Sequence, residues 1–314
     1  MTPSLALHAA LLLDHRRPRR GHAVTRRPAG AAGNLPHVAG YHLLRKVGEG
    51  RLATVYLAQD IDGGEVALKM LRRGHTGHDA RAAVFAREFG IPAAIHNRHL
   101  VRVYEQLAVD GDSAVTMEFL GGGHLGNQIV RGLAPGTALS LLRQAALALD
   151  ALHRHGFAHG DIKPANLLLR ANGDLVLVDF GLARRLDDVA PQTQPGLVVG
   201  TPRYAAPEQS QLGTVTAAAD VYSLGVVFYE MLCGKPPFPG HTLLEVFSQH
   251  LMAPVPRLRA ALAAFQPLVD AMLAKQVGTR LQDGQAVLHQ IDLLLDAAVP
   301  HPAPVGATEN RCQR

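Results

Sequence analysis

His159-Gly160-Asp161-Ile162-Lys163-Pro164-Ala165-Asn166, followed after an apolar run by Asp179-Phe180-Gly181, is the stretch that decides how this 314-residue chain folds. It sets a potential base, a point cation and two potential Mg²⁺ ligands within one loop, strand and loop unit. Phosphoryl transfer from a nucleotide needs those parts, because its loose transition state is served by positioning and charge neutralisation more than by covalent chemistry. Asp161 stands as the base that orients an acceptor hydroxyl and takes its proton, and Lys163 as the cation that steadies the γ-phosphate. Asn166 and Asp179 offer hard oxygen ligands to the metal. His159 reads differently, as a packed and structurally bonded histidine.

Toward the N-terminus, Val47 leads into Gly48-Glu49-Gly50-Arg51-Leu52-Ala53-Thr54-Val55, a G-x-G-x-x-G-x-V pattern with Ala53 in place of the third glycine. Such a turn brings backbone N–H groups close to a phosphate, and Ala is small enough to keep the approach. Alone it would also suit a plain hairpin. Val66-Ala67-Leu68-Lys69 follows on the next strand, where alternation puts Ala67 and Lys69 on one face, toward the cleft. Lys69 needs an acidic partner, and Glu88 is the candidate, since the helix predicted over residues 79–95 carries no other carboxylate beyond Asp79. Pro92 cannot donate to the Glu88 carbonyl, so this helix should bend or end there. Two further strands are expected over residues 100–109 and 113–119.

Beyond Gly121-Gly122-Gly123 the pattern changes to amphipathic helices. Leu139, Leu142, Ala146, Leu149 and Leu152 mark one over residues 138–155, stopped by Gly156. Residues 220–232 are apolar nearly all round, as in a central buried helix. Helices are also expected near 262–273 and 283–297. The fold class is α+β and bilobal, a β-rich small lobe with one main helix followed by a helical large lobe, and a nucleotide cleft is expected at the joint. The boundaries read as a disordered basic extension over 1–38, lobes over 39–120 and 121–297, and a disordered tail over 298–314.

Composition narrows the classes further. The formal excess of +5 sits in the first 37 residues, where Arg16, Arg17, Arg19, Arg20, Arg26 and Arg27 face only Asp14, so the remainder is neutral. No specific nucleic-acid partner is implied; the extension is either solvated or a contact for an anionic surface. No uninterrupted apolar run is long enough to span a membrane, and the apolar residues 5–13 lack the flanks of a signal peptide. Cys233 and Cys312 fit a reducing compartment better than a disulfide framework, so the cytoplasm is expected.

These motifs together resemble the Ser/Thr protein kinases, most closely the bacterial eukaryotic-like (Hanks-type) group, over residues 41–297. The resemblance implies ATP and Mg²⁺ (with Mn²⁺ as a substitute ion) as cofactors and protein Ser/Thr hydroxyls as acceptors. It makes Met117 the gatekeeper, Glu118 to Leu120 the hinge, and Val55, Ala67 and Leu168 the walls around adenine. Gly200-Thr201-Pro202-Arg203-Tyr204-Ala205-Ala206-Pro207-Glu208 is similar to the end of the family's activation segment. By the same resemblance Thr201 would bond Asp161 and Lys163, Asp220 is the buried acid of the central helix, and Arg280 partners Glu208. His124 stands where many members carry an acidic ribose contact.

Gly160 departs from the pattern, since most members carry an Arg there that meets a phosphate on the activation loop. Residues 182–199 offer only Thr193 as a phosphorylatable hydroxyl. The expectation is activity without phosphorylation of this loop. Two other readings stay open: a small-molecule phosphotransferase of the same fold, which also uses His-Gly-Asp but lacks the 200–208 segment, and a silent kinase-like scaffold.

Overall fold

A computed structural model describes residues 35–50, 53–71, 78–109, 112–188, 201–212 and 215–298. Nearly all of the basic extension, the tail from residue 299 and the loop carrying Thr193 lie outside these residues. The first described layer is an antiparallel sheet of β1 (His42–Glu49), β2 (Ala53–Gln59), β3 (Glu65–Leu71), β4 (Val103–Val109) and β5 (Asp112–Glu118), in the order β1-β2-β3-β5-β4. In register, Lys69 faces Val55 on one side and Val115 on the other, which sets the lysine beside the Gly-containing β1–β2 turn.

Helix α1 (His78–Ala94) packs against this sheet. It ends two residues past Pro92, within the turn where the missing N–H breaks the ladder. The strand expected from Leu100 begins only at Val103; Leu100 instead forms a parallel bridge to Leu177 of the second layer.

That layer is helical: α2 (Leu125–Arg131), α3 (Pro135–Arg154), α4 (Pro207–Leu212), α5 (Ala217–Cys233), α6 (Leu243–Met252), α7 (Gln266–Met272) and α8 (Gly284–Ala298). Short strands β6 (Phe157–Ala158), β7 (Leu167–Leu169), β8 (Leu175–Leu177) and β9 (Arg184–Arg185) pair as β6 with β9 and β7 with β8. Helix α5 starts at Thr216, whose side chain accepts from Ala219 N, and ends at Gly234 in the left-handed region. Between those caps almost every residue is buried, which makes α5 the axis of the large lobe. Leu142, Leu149 and Leu152 of α3 pack into the same core, each worth about 1.5–3 kcal/mol of burial.

The stretch expected as one helix over 262–273 is split into a 3₁₀ turn (Ala260–Phe265) and α7. Pro267 at the start of α7 explains the break, because its fixed φ opens a helix but its ring cannot continue one. Helices α2, α4 and α6 were not expected from periodicity. The two layers match the bilobal α+β fold, and the described residues from His37 onward form one compact unit.

Candidate active site

Three distant segments converge on Lys69. Its Nζ lies 2.6 Å from Glu88 Oε1 on α1 and 3.0 Å from Asp179 Oδ1. The approach of Glu88 depends on Gly181: a Cβ there would meet Glu88 Oε1 at 2.9 Å and Val84 at 3.2 Å. Asp179 adopts a left-handed backbone with φ of 71°, the only non-glycine residue to do so among those described. Such strain persists only where the surroundings over-determine it.

One ammonium serves two carboxylates here. Burial opposes the Lys69 charge, yet Glu88 and Asp179 outweigh it and raise its pKa. Burial, together with the Asp179 charge, pushes Glu88 up to about 8 despite Lys69. Asp179 is also penalised by burial, but Lys69 and a hydrogen bond with Glu88 hold it well below the usual carboxylate range. Sharing one ammonium thus drives the two acids in opposite directions, Asp179 toward its charged form and Glu88 away from it.

The second cluster gathers around Asp161. Its Oδ2 accepts from Lys163 Nζ at 2.6 Å and Asn166 Nδ2 at 3.1 Å, and its Oδ1 accepts from Thr201 N at 3.1 Å and Thr201 Oγ1 at 3.0 Å. Lys163 also donates to Thr201 Oγ1 at 3.0 Å. Asn166 spends its amide nitrogen on Asp161, through the carboxylate and through the backbone oxygen at 2.8 Å, which leaves its side-chain oxygen available to a cation. Among the described residues no group of three or more His, Cys, Asp or Glu side chains is placed to hold a metal ion. A metal here would have a sparse protein shell, as Mg²⁺ sites completed by phosphates do.

The loop is held from below by Asp220 of α5, which is 1% exposed. Its oxygens accept from His159 N at 2.6 Å and Gly160 N at 2.8 Å, and His153 of α3 lies at 3.1 Å. His159 is fully buried, bonded through Nε2 to Val178 O and edge-on to Phe180, so its ring is structural. Gly160 has φ of +79°, and an added Cβ would meet Val215 at 2.9 Å and the Leu182 carbonyl at 3.1 Å. Glycine fits this backbone without strain.

Residues 41–291 match the protein kinase domain family. The chain belongs to the protein kinases. It is 36% identical over 280 residues to a protein of Corynebacterium efficiens named serine/threonine-protein kinases drp72, covering 85% of this chain and 54% of that one. It is 37% identical over 255 residues to the serine/threonine-protein kinase PknA of Corynebacterium glutamicum, covering 78% and 54%. With PknL of Mycobacterium tuberculosis the identity is 33% over 282 residues, covering 86% and 70%. The chain spans about half the length of the first two of these relatives.

The remaining positions of this kinase domain sort by geometry. Ala67 and Leu120 are buried, Val55, Met117 and Leu168 half-buried, and Val47 exposed toward the end of β1. Ala53 closes the Gly-containing turn, its carbonyl accepting from Gly50 N at 2.8 Å. His124 is exposed at the start of α2 and bridges to Leu168. The Glu118 side chain does something the sequence did not suggest. Its two oxygens take Arg170 Nε at 2.9 Å and Arg170 Nη2 at 2.7 Å, and Arg102 N at 2.9 Å, so it ties the end of β5 to the β7–β8 turn.

Arg280 grips Glu208 in a two-point ion pair at 2.6 and 3.0 Å, donates to Ala218 O and Ala274 O, and lies over the Tyr222 ring. Ser223 Oγ donates to Tyr204 O at 2.7 Å, and Tyr204 Oη to Glu230 at 2.9 Å. Ser223, Glu230 and Tyr222 lie on α5, whose apolar run conceals them in the sequence.

Proposed function

We propose that this chain transfers the γ-phosphate of ATP, with Mg²⁺ (Mn²⁺ substituting), to Ser and Thr hydroxyls of protein acceptors. The reading rests above all on Thr201, which joins the 201–208 segment to both Asp161 and Lys163. A peptide acceptor lying along that segment would bring its hydroxyl to the carboxylate that serves as base. Asp161 then orients the hydroxyl and receives its proton, while Lys163 faces the phosphoryl oxygens.

Lys69, fixed by Glu88, would hold the α/β-phosphates. Val47, Gly48, Glu49, Gly50, Ala53 and Val55 cover the nucleotide with Ala67, Met117, Glu118, Leu120 and Leu168 around the base, Glu118 through its main chain because its carboxylate is spent on Arg170. Asn166 and Asp179 would take the metal, which supplies neutralisation of charge between the phosphates. The two carboxyl groups that share one ammonium at Lys69, with Asp179 the more exposed of them, and the side-chain oxygen of Asn166 fit such a cation. Thr201, Glu208, Asp220 and Arg280 hold the acceptor segment and the loop above it.

Activity independent of phosphorylation in residues 182–199 follows from Gly160, which has no side chain to meet a phosphate and whose Cβ space Val215 fills. Thr193→Ala should therefore leave turnover within about twofold, and abolished turnover in a folded variant would overturn this. The 201–208 segment speaks against a small-molecule acceptor, and the retained Lys69, Asp161 and Asp179 against a silent scaffold. Among the described residues no helix is long and apolar enough to cross a membrane. We assign the work to the cytoplasm on cysteine usage.

ATP-dependent phosphate transfer decides the whole reading. Lys69→Ala and Asp161→Asn should each lose at least about 10²-fold in turnover. Equal signal in the wild type and both variants would favour the scaffold.

A further inference from the structure

Beneath the acceptor segment lies a polar chain that neither the family motifs nor the mechanism above uses. His250 of α6 is 1% exposed. Its Nε2 is 3.0 Å from the Arg203 carbonyl, and its Nδ1 is 2.9 Å from Tyr222 Oη on α5. Lys275, just past α7, lies with Nζ 3.1 Å from that same Oη and 3.6 Å from the centroid of the Phe238 ring, which packs edge-on against His250.

Donor and acceptor roles follow from chemistry. A carbonyl only accepts, so Nε2 must carry the proton toward Arg203. A neutral imidazole then has Nδ1 as acceptor, and Tyr222 donates to it while receiving Lys275 on its other side. The direction runs without a break: Lys275 to Tyr222, Tyr222 to His250, His250 to Arg203. The charged groups facing this ring are cations, Lys275 directly and Arg280 over Tyr222, with the carboxylate of Glu208 already taken by Arg280. Surroundings of that sign favour the neutral ring.

We propose that His250 is a positioning residue for the protein acceptor, holding the main chain of the acceptor segment at Arg203 from helix α6. The neighbouring Tyr204 carbonyl is caught by Ser223, so two successive carbonyls of the segment are pinned from two helices, and Thr201 ties the same segment to Asp161 and Lys163. Loosening one pin would let the acceptor surface drift while the nucleotide cleft stays intact. The inference rests on the reading that the acceptor is a protein.

Two variants separate the bonds. In His250→Gln the amide nitrogen reaches the Nε2 position and can still donate to Arg203; in His250→Asn the side chain ends short of it but can still accept from Tyr222. With dephosphorylated casein as acceptor, His250→Asn should raise the acceptor KM about three- to tenfold, the range of one net hydrogen bond. The ATP KM should stay within about twofold, and His250→Gln should recover the acceptor KM. An unchanged acceptor KM in His250→Asn, a parallel rise in the ATP KM, or no recovery in a folded His250→Gln would overturn the proposal.

A measurement on the unaltered chain stands beside this. Nitrogen NMR of ¹⁵N-labelled histidines at pH 7, with the His250 signals assigned by their loss in His250→Gln, should show the neutral Nε2–H tautomer. An Nδ1–H tautomer or an imidazolium there would equally overturn it. The NMR needs no acceptor, so absence of transfer to casein by the wild type would speak against the activity and leave the anchor to be decided by the tautomer.

Discussion

The cleft around Lys69 and the anchor beneath residues 201–208 use similar residues and end in opposite states. In the cleft one lysine faces two carboxylates, one acid is pushed up to about 8, and Asp179 sits in a strained backbone with 43% of its side chain exposed. In the anchor Arg280 is matched two-for-two by Glu208, its remaining N–H groups reach carbonyls, and its side chain has no exposure at all. Two acids competing for one ammonium at an accessible site belong with a ligand that completes the set; a matched pair such as Arg280 and Glu208 in the interior belongs with a support that must not move. On the proposed reading, the difference separates the part that does chemistry from the part that presents the acceptor.

The comparison breaks most visibly at Arg280. Arg280→Ala leaves Glu208 without its partner and should lower stability by about 3–5 kcal/mol, read as a fall in the denaturant midpoint. The equivalent cleft change, Lys69→Ala, should remove activity with a much smaller shift. Comparable losses of stability in both would erase the distinction drawn here.

A pH series sharpens the anchor side. Burial first, and the Lys275 charge second, lower the His250 pKa from 6.5 to about 4. Between those two values the unfolded chain binds the proton that the folded chain refuses, so stability falls as pH drops from about 6.5 toward 4. The contribution is on the order of 3 kcal/mol. His250→Gln has no such proton to bind, and its stability should decline less steeply over that window. Parallel curves for the two proteins would contradict the buried neutral ring.

The smallest effect is expected at the joint between the two regions. Gly160→Ala places a side chain on a left-handed backbone and against Val215, for a loss of about 1–2 kcal/mol. Turnover should fall with it, since Asp161 is the next residue. A neutral substitution would mean that the loop tolerates a shift the present geometry does not allow.

Much of the cleft was legible in the sequence because its parts are chemically rare and closely spaced. Asp161, Lys163 and Asn166 fall within six residues, and few alternatives put such a carboxylate, cation and amide together. Glu88 could be singled out because the helix offered so little else. Glu208 and Arg280 came only through family resemblance, being 72 residues apart.

The anchor was not legible, and the reasons are physical. His250, Tyr222 and Lys275 are ordinary residues on separate elements, and nothing in a one-dimensional pattern marks a histidine that will point inward. The tie of Glu118 to Arg170 was hidden for the same reason. Periodicity also failed where a helix was short, as at Leu125–Arg131, or where Pro267 divided one apolar run into two turns of different kind.

The central claim, that the cleft transfers phosphate to protein Ser and Thr, is tested most directly by mass-spectrometric mapping of phosphosites. The chain would be incubated with ATP, Mg²⁺ and host lysate, beside Asp161→Asn as control. The account predicts new phosphates on Ser and Thr residues only, absent with Asp161→Asn. Phosphate on Tyr or solely on small molecules, or an identical pattern with the variant, would contradict it.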